Sequence, residues 1–244
     1  MKKINKIKTV ANYNVLFPDI RGEVKGEIAQ AHIVLLRMIK IFNFICQKHD
    51  IKYWLDYGTL LGAVRHNGFI PWDGDIDIGI LRKDFEKFKQ IVTEELPEDI
   101  FFQTVETDPY YNPFFIEAKL RDKYSSYTSF AAKNPLCKWH NGLQIDFFIY
   151  DVDTSNSKKL LNIFERKINQ GNIYLYKEDI EELICCPFED IILPIPLRYD
   201  RYLKQAYGNY MVLPPEEERV PGEGKMNVFK PCDHAMALDW HKKQ

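Results

Sequence analysis

The stretch Trp72-Asp73-Gly74-Asp75-Ile76-Asp77-Ile78-Gly79-Ile80 decides how the chain folds. From Asp75 onward isoleucine alternates with aspartate or glycine. A period of two is a strand signature, so Ile76, Ile78 and Ile80 share one face while Asp75 and Asp77 share the other. Carboxylates two residues apart on one strand face lie about 7 Å apart and repel each other. A covered face tolerates that pair only when cations neutralise it. Mg2+ or Mn2+ is the expected partner, because hard divalent ions take carboxylate and phosphate oxygens. Asp73, between Trp72 and Gly74, suits a turn as well as a substrate-binding position. The D-x-D-x-D spacing also opens calcium loops, but Ile78-Gly79-Ile80-Leu81 supplies no further ligands.

The neighbouring segments supply the rest of the frame. Apolar residues recur at helical spacing through Ile28, Ala31, Leu35, Ile39, Phe42 and Cys46, which predicts a helix over 27–49. Ile51 to Asp56 reads as a strand and Leu60 to Arg65 as a short helix closed by Asn67-Gly68. Lys83 to Glu95 reads as a second amphipathic helix stopped by Pro97. Strands are expected at 101–106, 114–122, 124–130 and 143–150, helices at 157–168 and 199–207, and an extended segment at 187–196. Interleaved strands and helices imply an α/β (α+β) architecture: a mixed sheet flanked by helices, with a helical C-terminal part. The chain divides into an N-terminal surface segment (1–27), a main domain (28–220) and an irregular C-terminal segment (221–244).

Three further features bear on chemistry. Asp146 is the one charge within Leu143–Tyr150, and a lone aspartate among Ile145, Phe147, Phe148 and Ile149 demands a partner. Gly58-Thr59 lies between a strand and a helix, where free N–H groups and the helix dipole bind anions; helix capping by Thr59 accounts for it equally well. Arg65, and the pair Lys119 and Arg121 on one strand face, are candidates to hold a diphosphate, or are solvated cations. His66 can serve as a base or be inert in its turn.

The chain has 244 residues, 45% hydrophobic and 28% charged, long enough for a substantial core. With 33 basic against 35 acidic residues it lacks the electrostatic footprint of a nucleic-acid-binding protein. Five cysteines without a C-x-x-C pair argue against a disulfide framework or zinc site and for reduced thiols. The most apolar window, 33–46, is broken by Arg37, Lys40 and Asn43, so no transmembrane segment is expected. Lys2, Lys3, Lys6 and Lys8 precede no apolar stretch of the kind a secretory signal needs. A cytoplasmic location follows as the expectation, with peripheral contact at the inner face of the membrane compatible with it.

The run Tyr53-Trp54-Leu55-Asp56-Tyr57-Gly58-Thr59-Leu60-Leu61-Gly62-Ala63-Val64-Arg65-His66, followed by Phe69 to Ile78, strongly resembles the LicD family, which includes fukutin and fukutin-related protein. Gln144-Ile145-Asp146-Phe147-Phe148 matches its third carboxylate strand, and Tyr207-Gly208-Asn209-Tyr210 with Leu213-Pro214-Pro215 resembles its closing motif. The resemblance implies a nucleotidyltransferase-like fold over 28–220 and divalent metal held by Asp75, Asp77 and Asp146. It implies transfer of a phospho-alcohol (phosphocholine, ribitol phosphate or a relative) from a CDP-linked donor to a glycan acceptor. Many bacterial members carry an acidic residue where this chain has Gly74. Asp146 is the expected base, with Gly58, Thr59, Arg65, Asp73, Lys119 and Arg121 around the substrate. The acceptor expected is a capsule, lipopolysaccharide or teichoic-acid precursor. Alternatives are an NTP-dependent nucleotidyltransferase and a catalytically silent glycan- or partner-binding protein on the same fold.

Overall fold

A computed structural model describes residues 12–134 and 138–232. The chain opens with the short α1 (Tyr13–Leu16) and the long α2 (Glu27–Lys48). There follow β1 (Tyr53–Leu55), α3 (Tyr57–His66), β2 (Ile76–Leu81), α4 (Arg82–Glu95), β3 (Ile100–Gln103) and β4 (Ala118–Asp122). Next come α5 (Thr128–Lys133), β5 (Gln144–Val152), β6 (Lys159–Leu161), α6 (Ile163–Lys167), β7 (Leu175–Tyr176) and α7 (Lys177–Ile180). The last elements are β8 (Leu183–Phe188), β9 (Ile191–Pro196), α8 (Tyr199–Tyr207) and a 3-10 turn at Glu216–Glu218.

Seven strands form one mixed sheet in the order β1-β2-β5-β4-β3, with β6 on the end of β5 and β7 beyond it. β2 and β5 run parallel, and β1, β4 and β3 join them antiparallel. The register decides the site. Asp77 lies opposite Asp146, Asp146 opposite Lys119, and Lys119 opposite Gln103. Cross-strand partners share a face, so this row crosses four strands on one side. The other side carries Ile76, Ile78, Ile80, Ile145 and Phe147 into the core.

That apolar side is covered by α2 and α4. Phe42 of α2, Phe88 of α4 and Phe147 of β5 meet with ring centroids 5.3–5.5 Å apart, two pairs edge-to-face, as aromatic quadrupoles favour, and one tilted. Among the described residues α2 is the one helix long and apolar enough to cross a membrane, despite Arg37, Lys40 and Asn43. Here most of its apolar positions from Ala31 to Cys46 are buried in the core, with Ile33, Leu36 and Phe44 partly buried. Its Arg37 is paired with Asp99 at 2.7 Å and donates to the Phe17 carbonyl.

Several expected elements took other forms. Residues 124–130 form a turn leading into α5 rather than a strand: their strand-type pairing among the described residues is limited to the single bridge of Ser126 with Asn227, and α5 starts at Thr128. Residues 157–168 hold a strand and a short helix rather than one helix. Asn162 interrupts the run and caps α6, accepting a bond from the Glu165 N–H at 2.9 Å. The strand expected at 114–122 is ordered as a strand only from Ala118, and that at 101–106 ends at Gln103 in a threonine turn. The extended 187–196 segment spans the end of β8, the turn and the whole of β9 in a hairpin whose first arm contains Cys185 and Cys186. These two, with Cys46 and Cys232, are free thiols, and Cys137 lies outside the described residues.

A close contact locks β1 onto β2. A Cβ on Gly79 would sit 2.1 Å from Nε1 of the fully buried Trp54. Gly79→Ala is therefore expected to destabilise the protein by about 1–3 kcal/mol through overpacking, read as a lower urea midpoint at unchanged m. An unchanged midpoint would mean that the Trp54 indole has room to move.

Candidate functional site

The polar side of the sheet gathers five carboxylates. Asp75 and Asp77 come from the start of β2, Asp146 from β5, Asp73 from the turn before β2, and Glu223 from the C-terminal segment. They form two overlapping triads, Asp73–Asp75–Glu223 and Asp75–Asp77–Asp146, each with one oxygen per residue within 4.8 Å of the others. Repulsion and burial show in their acidities. Asp73 is pushed up to about 7 by burial and by the charge of Glu223. Asp75 and Asp77 are held well above the ordinary carboxylate range by burial, then by the other acids. Glu223 is raised by burial and by Asp146.

Local structure explains why the acids converge. α3 begins at Tyr57, where the Asp56 carboxylate accepts the Tyr57 N–H at 2.9 Å while the Asp56 N–H donates to the Asp77 carbonyl at 3.0 Å. Tyr57 itself takes φ of 37°, a strained value for a non-glycine residue. Gly58 follows, pressed against the acids. A Cβ there would lie 2.8 Å from Asp73 Oδ2 and 3.6 Å from Asp77 Oδ2. Only glycine admits this approach, and it aims the positive end of α3 at the carboxylates. The Thr59 hydroxyl accepts from the Asp77 N–H at 2.8 Å, so it positions the start of β2.

Gly74 works in a similar way. A Cβ there would meet Glu223 Oε2 at 2.8 Å and the Met226 methyl at 2.7 Å. The C-terminal segment brings an acid into the space that Gly74 leaves. Backbone bonds tie this segment to the domain: Ser126 with Asn227, Ser129 to the Lys225 carbonyl, and Met226 N–H to the Glu27 carboxylate at 2.6 Å.

The matching family is the LicD/FKTN/FKRP nucleotidyltransferase domain, whose model covers residues 50–198. The chain belongs to the LicD family. The lipopolysaccharide cholinephosphotransferase LicD of Haemophilus influenzae is 25% identical over 81% of this chain and 96% of its own length. An uncharacterised Rickettsia typhi protein, RT0683, is 48% identical over 60 residues, 25% of this chain and 19% of that protein. The human ribitol 5-phosphate transferase FKRP is 49% identical over 47 residues, 19% of this chain and 10% of FKRP.

The remaining expected residues of this LicD-family chain sit as follows. Lys119 Nζ lies 2.7 Å from both Asp146 oxygens, and Gln144 bridges Asp146 to Asp75 by donating to each at 3.2 Å. Both Asp146 oxygens are thus engaged by the Lys119 amine. Arg121 is buried and committed to the Gln103 side chain and the Gly142 carbonyl, at 2.7 and 2.8 Å. Arg65 lies seven residues along α3 from Gly58, roughly 10 Å away. It donates to the Tyr210 carbonyl at 2.8 Å, joining α3 to the closing motif, and to His66 Nε2 at 2.9 Å. Glu223 and Gln144 escaped sequence reasoning as site residues. Gln144 flanks the quoted Asp146 motif. Glu223 sits between two glycines in an aperiodic segment, where no pattern marks it.

An oxygen-only set of closely spaced acids suits a hard divalent cation. Glu223 Oε2 is moreover a buried oxygen without a hydrogen-bond partner. Beside the acids opens a cavity of about 430 Å³ walled by Tyr111, Phe115, Phe130 and Trp139, with Lys119, Arg121, Lys133 and Glu223 along its lining.

The raised acids fix a pH dependence for the metal-free protein. Asp73 and Asp56 both titrate near 7 in the fold against about 4 when unfolded, Asp56 because of its complete burial. Between those values the fold holds protons that the unfolded chain has released, so stability falls as pH rises through the folded values. His32 and His66, lowered by burial, oppose this only below about pH 6.5. The metal-free protein is expected to melt higher at about pH 6.5 than at about pH 8, and Asp77→Asn to raise the melting temperature and flatten the slope. A metal-free melting temperature that drops on acidification across this window contradicts the carboxylate assignment.

Proposed function

We propose that this LicD-family protein transfers a phospho-alcohol, such as phosphocholine or ribitol phosphate, from a CDP-linked donor to a hydroxyl of a cell-surface glycan. It does so with Mg2+ or Mn2+, at the cytoplasmic side of the membrane. The observation that carries the reading is the carboxylate cluster beside an aromatic cavity that one of its members, Glu223, lines. The names of the Haemophilus and human relatives, a cholinephosphotransferase and a ribitol 5-phosphate transferase, support the transferred group.

When bound, the divalent ion supplies Lewis-acid charge for a diphosphate and its leaving oxygen. Its ligands would be drawn from Asp73, Asp75, Asp77, Asp146 and Glu223. The N-terminus of α3 at Gly58 faces the same space and favours anions there. The cavity suits the flat, neutral end of the donor. Phe130 and Trp139 rings lie 5.9 Å apart at 41° on its wall, a platform on which a base can stack. Lys119, Arg121 and Lys133 on the same lining suit phosphate and oppose a trimethylammonium group. In this reading the nucleoside occupies the cavity and the alcohol lies across the acids from it.

A donor panel of CDP-choline, CDP-ethanolamine, CDP-ribitol, CDP-glycerol and plain NTPs, scored for CMP and pyrophosphate, tests the reading. CMP is expected as product, with a metal requirement. Asp75→Asn or Asp77→Asn should lower turnover by at least roughly 100-fold while the fold is kept. Trp139→Ala should weaken binding of CMP and CDP by roughly tenfold through lost stacking. Pyrophosphate release from an NTP, with no reaction from any CDP-alcohol, would replace this reading by nucleotidyl transfer.

A further inference from the structure

The two carboxylate triads share Asp75 but differ in their partners. Both oxygens of Asp146 already face an ammonium, Lys119 Nζ, at 2.7 Å. Gln144 Oε1 accepts from the same Nζ at 3.1 Å, and its Nε2 donates to Asp146. The strand ladder builds this pair in, since β4 and β5 place Lys119 directly opposite Asp146. Both side chains are nearly enclosed, at 12% and 8% exposure; burial lowers the Lys119 pKa, and the Asp146 carboxylate opposes that by favouring the ammonium. Among the described residues, none of Asp73, Asp75, Asp77 and Glu223 has an ion-pair partner, and Glu223 Oε2 is buried and unbonded.

We propose that Lys119 is a resident cation that fills the place of a second metal ion, so that the cluster loads a single divalent ion on its Asp73–Asp75–Glu223 side. The inference rests on the metal-dependent reading above and goes beyond it in the number and place of the ions. A divalent ion and an ammonium on one enclosed carboxylate repel each other at contact distance. Asp146 then serves to hold Lys119 at the cavity, where its charge faces both the acids and whatever anion enters. Glu223, which arrives from the far end of the fold in sequence, becomes a ligand and Asp146 an outer support.

Mn2+ titration of the full chain, with free Mn2+ read by its paramagnetic resonance signal and no nucleotide present, tests this. The wild-type chain is expected to bind one ion. Asp146→Asn should keep that ion with affinity within about threefold, whereas Glu223→Gln should lose roughly tenfold or more. Lys119→Met, checked for an intact melting transition, should gain a second ion on the freed Asp146. Two ions in the wild-type chain overturn this inference and leave the proposed transfer reaction standing, as does a loss in Asp146→Asn equal to that in Glu223→Gln. No binding by the wild-type chain overturns it together with the metal dependence of the proposed reaction.

Discussion

The structure depends on a juxtaposition that is unfavourable by itself: Asp77 and Asp146 as neighbours on adjacent parallel strands. At the roughly 4.8 Å spacing of a sheet, two unit charges at an effective dielectric near 20 repel by about 3 kcal/mol. Everything nearby answers that repulsion. The positive end of α3 is brought in through Gly58, Lys119 is registered against Asp146, and the raised carboxylates retain protons. The hydrophobic side of the same strands, packed under α2 and α4, supplies the rigidity that keeps the acids together.

The strands and helices that build this row were legible because their patterns are strong and local. Alternating isoleucines in Asp75–Ile80 set the face of β2, helical spacing over 27–49 found α2, and Gly208 marked the end of α8 at φ of 61°. Asp75, Asp77 and Asp146 converge, one oxygen of each lying within 4.8 Å of the others. What stayed hidden depends on long-range pairing. Residues 124–130 read as a strand by their aromatic and hydroxyl content, but their partners lie a hundred residues on, at Lys225 and Asn227. Glu223 was unreadable for the same reason. Lys119 and Arg121 looked alike in sequence, yet the side chain of one bonds Asp146 and that of the other bonds Gln103.

Arg21 shows how widely the fold leans on single side chains. Its guanidinium reaches Asp122 at the end of β4, Asp19 beside it, and the Val228 carbonyl at 2.6 Å. One cation therefore joins the segment before α2, the central sheet and the C-terminal segment. A charge buried among three such partners is costly to leave unpaired, which keeps that junction in one arrangement.

The placement of Glu223 has a consequence for how the protein comes into being. Every strand of the sheet precedes it in sequence, and a ribosome delivers residues in that order. The emerging chain can thus assemble its sheet and four aspartates before the fifth acid exists. The segment that carries Glu223 adds the fifth acid last in sequence, held by backbone bonds against Ser126 and Ser129.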